Sequence, residues 1–200
     1  EFIKQQQVIV VTINYRLGPM GWFTHPAIQG PQSGLDKTSN FGTLDIIQAL
    51  QWVQNNIASF GGDSENVTIF GESAGGHNVL SLLSSPISNG LFHKAISQSG
   101  YTTTYSLKEA YGLDDNEKTI NQLGSDLVLS QNNLSGYGSI KKMYVEDPMK
   151  HGEEFQSYIR SIDGKDLLNS YNKIAKDTFD RLPLLTRDGI VLHIDGMRAG

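Results

Sequence analysis

Asn66-Val67-Thr68-Ile69-Phe70-Gly71-Glu72-Ser73-Ala74-Gly75-Gly76 is the stretch on which the fold turns. Asn66 to Phe70 is a short β-branched run of strand character, Gly71 to Gly75 a tight turn, and Gly76 to Ser85 a small-residue helix that stops before Pro86. Downstream, Lys94 to Gln98 reads as another short strand. Upstream, Leu44, Ile47, Leu50 and Ile57, with Ile46, Ala49 and Val53 beside them, follow 3.6-residue spacing. They predict an amphipathic helix from about Thr43 to the glycine stop at Phe60-Gly61-Gly62. Earlier still, Val8, Ile9, Val10, Val11 and Ile13 form a continuous β-branched run, which suits a strand covered on both faces. Residues 8 to 98 thus predict a β–α–β–α–β succession, the pattern of an open parallel sheet with right-handed crossovers. The expected class is α/β.

The rest of the chain is less periodic. Trp22 to Asn40 is rich in Gly, Pro, Ser, Thr and Gln and reads as a long connection. Tyr101 to Asp180 turns polar, and Leu167, Leu168, Tyr171, Ile174, Ala175 and Phe179 repeat at helical spacing, so a helical cap or insert is expected over 101–180. Residues 1–100 would be the central part of the core and 181–200 a return to it, with Leu182 to Leu192 extended around the turn dipeptide Asp188-Gly189. Composition excludes several classes of function. With 16 Lys+Arg against 21 Asp+Glu, a formal charge of −5, no basic run is available to neutralise a nucleic-acid backbone. No apolar stretch approaches the roughly 20 residues of a membrane-spanning helix. The absence of cysteine removes disulfides, thiolate catalysis and cysteine-ligated metal centres. The chain begins at Glu1, without an initiator Met and just before a strand-like run, so truncation at both ends is expected. A missing targeting segment then leaves export open.

Gly71-Glu72-Ser73-Ala74-Gly75 fits G-x-S-x-G, in which a strained strand-to-helix turn lifts a serine Oγ clear of a sheet. Gly71 and Gly75 are expected to flank Ser73 because a Cβ at either would clash with backbone packed around the turn. The match falls where a strand ends and a helix begins, the context the motif requires. With Ser73 as nucleophile, the N–H of Ala74 at the helix start faces the oxygen of a tetrahedral intermediate, and the helix dipole adds positive potential there. A second donor normally comes from a Gly-rich loop after an earlier strand, and no such segment precedes Val8.

Ser73 also needs a base, in the chain order Ser, acid, His. His77, one turn on, is expected to be a helix-face or packing residue, and His93, before a strand, to be structural. His151 lies in a surface-like Lys-His-Gly-Glu-Glu stretch, and His193 would need Asp188 or Asp163 as its orienting acid. Glu72 adjoins Ser73, but successive side chains at a tight turn point apart, so it is expected to be a buried, hydrogen-bonded carboxylate. Arg16 and Asp45 could pair or be separately solvated. No metal-ligand spacing is present, and no cofactor is expected.

Further segments extend the pattern: Asn14-Tyr15-Arg16-Leu17-Gly18, Asn40-Phe41-Gly42-Thr43-Leu44-Asp45, Ala49-Leu50-Gln51-Trp52-Val53, Phe60-Gly61-Gly62-Asp63 and Gly90-Leu91-Phe92-His93-Lys94-Ala95-Ile96-Ser97-Gln98-Ser99-Gly100. In this order and spacing, over residues 8 to 100, the chain resembles the central block of the type-B carboxylesterase family, which includes the cholinesterases. The resemblance implies an α/β-hydrolase fold, incomplete at both ends, and hydrolysis of small-molecule carboxylic esters through an acyl-enzyme. It implies Ser73 as nucleophile, Ala74 N–H as an oxyanion donor, Arg16–Asp45 as a structural salt bridge, and Ser99 as a second serine beside the triad. The oxyanion glycines would lie upstream of Glu1. Pro183 to Leu192 resembles the family stretch that precedes the triad acid, so acid and histidine would lie beyond Gly200, and residues 1–200 alone are expected not to turn over ester. Ile46 stands where many members have Gln, and the cysteines of animal members are absent, which suggests a bacterial-type member. Two rivals remain: an adhesion or binding protein that kept the fold and lost the triad, and a non-functional fragment with exposed sheet edges.

Overall fold

The computed structural model describes residues 7–112, 124–131, 136–174 and 185–198. In chain order its α-helices are α1 (Gly18–Gly21), α2 (Pro26–Gln29), α3 (Phe41–Asn56), α4 (Ala74–Leu83), α5 (Leu107–Tyr111), α6 (Ser125–Gln131), α7 (Tyr137–Glu146), α8 (Pro148–Ser161) and α9 (Gly164–Ile174). Its strands are β1 (Thr68–Glu72), before α4, and β2 (Lys94–Gln98), after it. They pair in parallel from Thr68↔Lys94 to Glu72↔Gln98, so β1–α4–β2 is the unit the sequence predicts.

Period-2 alternation divides the two strands into unlike faces. Ile69 turns inward and joins Ile46, Ile47 and Leu50 of α3, Val79 and Leu82 of α4, and Val191 in one core, with Ala95 of β2 half-buried against it. Thr68, Phe70, Glu72, Lys94, Ile96 and Gln98 fall on the other face and are exposed, Phe70 by 63% and Ile96 by 52%. The described sheet is therefore covered by helices on one face. α3 starts two residues earlier than its apolar pattern, at Phe41, and runs into a 3₁₀ turn over Ile57–Phe60. Gly61 ends it at φ +82°, a backbone conformation that glycine adopts without the cost a Cβ imposes.

Val8 to Ile13 departs from expectation. The run makes no strand ladder, and its side chains are exposed, Val8 by 40% and Ile9 by 45%. A β-branched sequence favours an extended backbone, but a strand exists only where a neighbour accepts its hydrogen bonds, and no described strand lies alongside. The third β of the expected succession is thus absent from the described residues. The 22–40 connection contains α2 and a 3₁₀ turn over Gly34–Lys37.

After β2 the described residues from Leu107 to Ile174 are mostly helical, and Tyr105 bridges in parallel to Thr186. Ser106 and Glu109 close a capping box on α5, and Asp147 caps α8 by accepting from the Lys150 N–H, with Pro148 at the first helical position. Leu129, Tyr137, Phe155 and Ile159 bury together against Ala27 of α2 in a second core. Ala175 and Phe179 of the expected helical repeat, and residues 182–184 of the expected extended stretch, lie outside the described residues.

A polar hub joins residues 38–40, just before α3, to residues 186–192. Asp188 Oδ1 accepts from the N–H groups of Ile190, Val191 and Leu192 at 3.0, 3.0 and 3.1 Å. Its Oδ2 accepts from Asn40 Nδ2 at 2.9 Å and from the Thr38 hydroxyl. Asn40 also exchanges hydrogen bonds with the Thr186 backbone, its Nδ2 reaching Thr186 O at 2.8 Å and its Oδ1 accepting from Thr186 N at 2.9 Å.

Candidate active site

Ser73 stands between β1 and α4 at φ +54°, ψ −115°. A non-glycine residue with positive φ costs of order 1–3 kcal/mol and persists only where the surroundings determine it. Here the Ser73 N–H donates to the Gln98 carbonyl at 2.9 Å, and the Ser73 carbonyl accepts from the His77 N–H at 2.9 Å. The serine is tied to the last residue of β2 on one side and to the first turn of α4 on the other, while the residue itself is exposed.

The glycines flanking Ser73 are not equivalent. A Cβ on Gly71 would fall onto the Gly75 carbonyl group and lie 2.9 Å from Gly75 Cα, so crowding excludes a side chain there. A Cβ on Gly75 would meet nothing within 4 Å. The expected clash at Gly75 is absent because Gly75 presents its backbone to Gly71 and directs its own Cβ position into open space. Two further glycines lock the helix to β2. A Cβ on Gly76 would lie 2.8 Å from the Gln98 carbonyl oxygen, and Gly100 abuts the Gly76 carbonyl carbon in the same way. The Ser97 hydroxyl donates to the Gly76 carbonyl at 3.1 Å across this joint.

Ala74 is the first residue of α4, so its N–H has no acceptor within the helix and sits at the positive end of the helix dipole. Ser99 is likewise the residue immediately after a strand, at φ +50°. Because β1 and β2 end in register at Glu72↔Gln98, both serines leave adjacent strand ends at positive φ. Glu72 is exposed, against the expectation of a buried carboxylate. It alternates with Phe70 onto the uncovered sheet face, so it gains no enclosing partner there.

Among the described residues no histidine ring is hydrogen-bonded to the Ser73 hydroxyl. His77 is 1% exposed and packs its ring on Tyr101, with ring centroids 4.0 Å apart, as a packing residue would. Burial pushes its pKa down to about 4, against a smaller opposing pull from the Tyr101 backbone. His93 accepts the Val67 N–H at 3.2 Å and lies 3.9 Å from Glu65, a structural role at the start of β2. His151 contacts Glu154 at 3.2 Å on α8 and is partly covered rather than freely solvated. His193 pairs with Asp195 at 3.3 Å. It is not oriented by Asp188, whose oxygens serve the hub, nor by Asp163, which accepts from the Lys165 N–H at 2.8 Å at the start of α9. The triad considered within these residues does not assemble.

Arg16 and Asp45 do pair. The Arg16 N–H, Nε and Nη2 donate to the Asp45 carboxylate at 2.9, 2.8 and 2.7 Å, and the guanidinium lies 5.4 Å from the Phe41 ring centroid. The Arg16 hydrogen bonds hold Asp45 below the usual carboxylate range. This fork clamps the 14–17 segment to the first turn of α3. Sequence reasoning missed Gln98, Ser97 and Tyr101 as holders of the Ser73 turn. The glycine pair Gly76 and Gly100 was the available signal, since both mark close backbone approach.

A family model described as "Carboxylesterase family" matches residues 1–187. The chain is 48% identical over 106 residues to the para-nitrobenzyl esterase of Bacillus subtilis, a match covering 53% of this chain and 21% of that protein. It is 54% identical over 95 residues to the cocaine esterase of Homo sapiens, covering 48% of this chain and 16% of that protein. Among solved structures, a thermophilic PNB esterase superposes with a TM-score of 0.67 at 30% identity, over 94% of this chain and 33% of that one. A carboxylesterase of Geobacillus stearothermophilus gives 0.65 at 31% identity, over 96% and 33%. The chain therefore spans about a third of the length of these structures.

Proposed function

The chain belongs to the carboxylesterase family and has its α/β-hydrolase fold, and on that premise we propose that it is the central portion of a serine ester hydrolase. The observation that carries the proposal is the conformation of Ser73: exposed, at positive φ, and pinned by its own N–H to Gln98 at the head of a helix. This geometry presents the hydroxyl rather than burying it.

The reaction follows from the parts. Ser73 Oγ attacks the ester carbonyl while a base removes its proton, and the carbonyl oxygen becomes an oxyanion. The Ala74 N–H, with the dipole of α4 behind it, stabilises that charge more than it does the neutral carbonyl, which lowers the barrier. Collapse expels the alcohol and leaves an acyl-serine, which water then hydrolyses to the acid. The base, its orienting acid and the second oxyanion donor are assigned to parts of the protein outside residues 1–200, because no described histidine ring is hydrogen-bonded to the Ser73 hydroxyl. Ser99 is assigned to the wall of the same site, and Gly71, Glu72 and Gly75 to its support.

A fluorophosphonate ester tests this on the intact protein. Covalent labelling that maps to Ser73 and vanishes in Ser73→Ala is expected. Unlabelled wild-type protein would overturn the catalytic reading in favour of a binding protein that retains the fold.

A further inference from the structure

The Ser73 turn is strained, so whatever prevents α4 from tilting away from β2 also determines where the serine points. Four contacts from residues 97–101 reach the first turn of α4. Gln98 O accepts the Ser73 N–H, the Ser97 hydroxyl donates to Gly76 O, Gly100 abuts Gly76, and Tyr101 lies on His77. The first three involve backbone or a short side chain close to the strand. The fourth is a ring-on-ring contact at 4.0 Å, tilted by 46°, made by Tyr101 onto His77, which is 1% exposed. It is also coupled directly to Ser73, because the His77 N–H is bonded to the Ser73 carbonyl. Displacing the His77 backbone therefore displaces Ser73.

A polar contribution accompanies the stack, since the Tyr101 backbone pulls the His77 pKa up against the larger effect of burial. Neither ring nitrogen of His77, nor Tyr101 Oη, closes a hydrogen bond of good geometry with a described residue, although all three atoms are buried. What meets strict geometry here is the packing of one ring on the other, with centroids 4.0 Å apart.

We propose that His77, through its stack on Tyr101, is a positioning residue for Ser73: it keeps the first turn of α4 seated on the end of β2 and thereby sets the directions of Ser73 Oγ and the Ala74 N–H. The proposal rests on the reading of Ser73 as nucleophile only for its catalytic consequence; its structural content is independent of that reading. Phe keeps a ring for the stack on Tyr101 and should replace His77, while Ala should not.

The test is made on the intact protein with His77→Ala, His77→Phe and Tyr101→Ala. Amide hydrogen exchange is read at Ser73 and His77, and the rate constant for fluorophosphonate labelling of Ser73 is measured alongside. His77→Ala is expected to speed exchange at these two amides and to slow labelling, each by about tenfold or more, with α3 amides unchanged. His77→Phe is expected to restore both, and Tyr101→Ala to reproduce the loss from the other ring. Steady-state turnover of a chromogenic ester should show kcat falling more than KM rises in His77→Ala. Unchanged exchange at Ser73 and His77, an equal rise throughout Phe41–Asn56, or failure of Phe to restore protection would each overturn the proposal. If His77→Ala does not fold, Tyr101→Ala decides by the same criteria. If wild type takes no label, the catalytic reading fails, and the exchange pattern still decides whether His77 seats the helix.

Discussion

A methyl group added at Gly71 meets the Gly75 carbonyl, whereas one added at Gly75 meets open space. Backbone pressed on backbone has no rotamer through which to relax, so Gly71→Ala is expected to cost about 3 kcal/mol or more and to abolish labelling at Ser73. Gly75 lies inside α4, where Ala is the better helix former by up to about 1 kcal/mol, so Gly75→Ala is expected to leave thermal stability equal or slightly raised. Thermal unfolding of the two variants checks this, and equal destabilisation would mean that both glycines are needed for space. The contrast also marks what single residues reveal in sequence. The strand-to-helix turn at Ser73 and Ala74 was legible because a fixed spacing fell between a β-branched run and a small-residue helix. Glu72 was misread as buried because alternation along β1 gives its face, while the covering of that face depends on elements far away in the chain.

At the scale of elements, the clearest dependence is that of α3 on the loop before it. Five donors converge on the Asp188 carboxylate, three of them backbone N–H groups of residues 190–192 and two from Thr38 and Asn40. Asp188→Ala leaves those donors without an acceptor in a half-buried site and is expected to cost about 3 kcal/mol, seen as a lower denaturant midpoint at unchanged m-value. Asp188→Asn keeps one oxygen for the three N–H groups but turns an NH₂ toward Asn40, so a smaller loss is expected. Equal losses in the two variants would argue that charge, and not geometry, holds the hub. α3 could be read from sequence because its apolar spacing repeats locally and Gly61 stops it. Val8 to Ile13 could not, since β-branched composition shows willingness to form a strand and says nothing of the strand beside it. The hub itself was hidden for a similar reason: Asp188-Gly189 looks like a turn in sequence, and its five donors come partly from residues nearly 150 positions earlier.

Across the whole molecule, the strongest hidden connection runs through His25. Its Nδ1 accepts the Ala27 N–H at 3.2 Å, so the neutral ring carries its proton on Nε2, which faces Tyr137 Oη at 3.2 Å. Tyr137 donates onward to Asp126 at 2.6 Å, and Lys141 holds the other Asp126 oxygen at 2.6 Å. Phe155 and Tyr111 enclose the imidazole edge-on, and the chain of bonds fastens α6 and α7 to the start of α2. Nothing local in Thr24-His25-Pro26 announces a partner 112 positions away. Protonating Nδ1 would set two donors against each other at Ala27, and burial pushes the His25 pKa down to about 4, as it does for His77. An unfolded histidine titrates near 6.5, so between the two values the unfolded chain binds more protons and stability rises with pH. The stabilising contribution is complete above about pH 6.5 and is lost progressively as pH falls toward 4. At 1.36 kcal/mol per pH unit each histidine contributes on the order of 3 kcal/mol over that window. The intact protein should therefore lose stability steeply from pH 6.5 to 4.5. His25→Asn, whose side-chain oxygen can still accept at Ala27 but cannot titrate, should flatten the slope by about half even though it begins less stable. Denaturant midpoints measured at half-unit intervals of pH decide the matter. A wild-type midpoint flat across that window, or a slope unaltered by His25→Asn, would show that the buried imidazole does not link folding to protons.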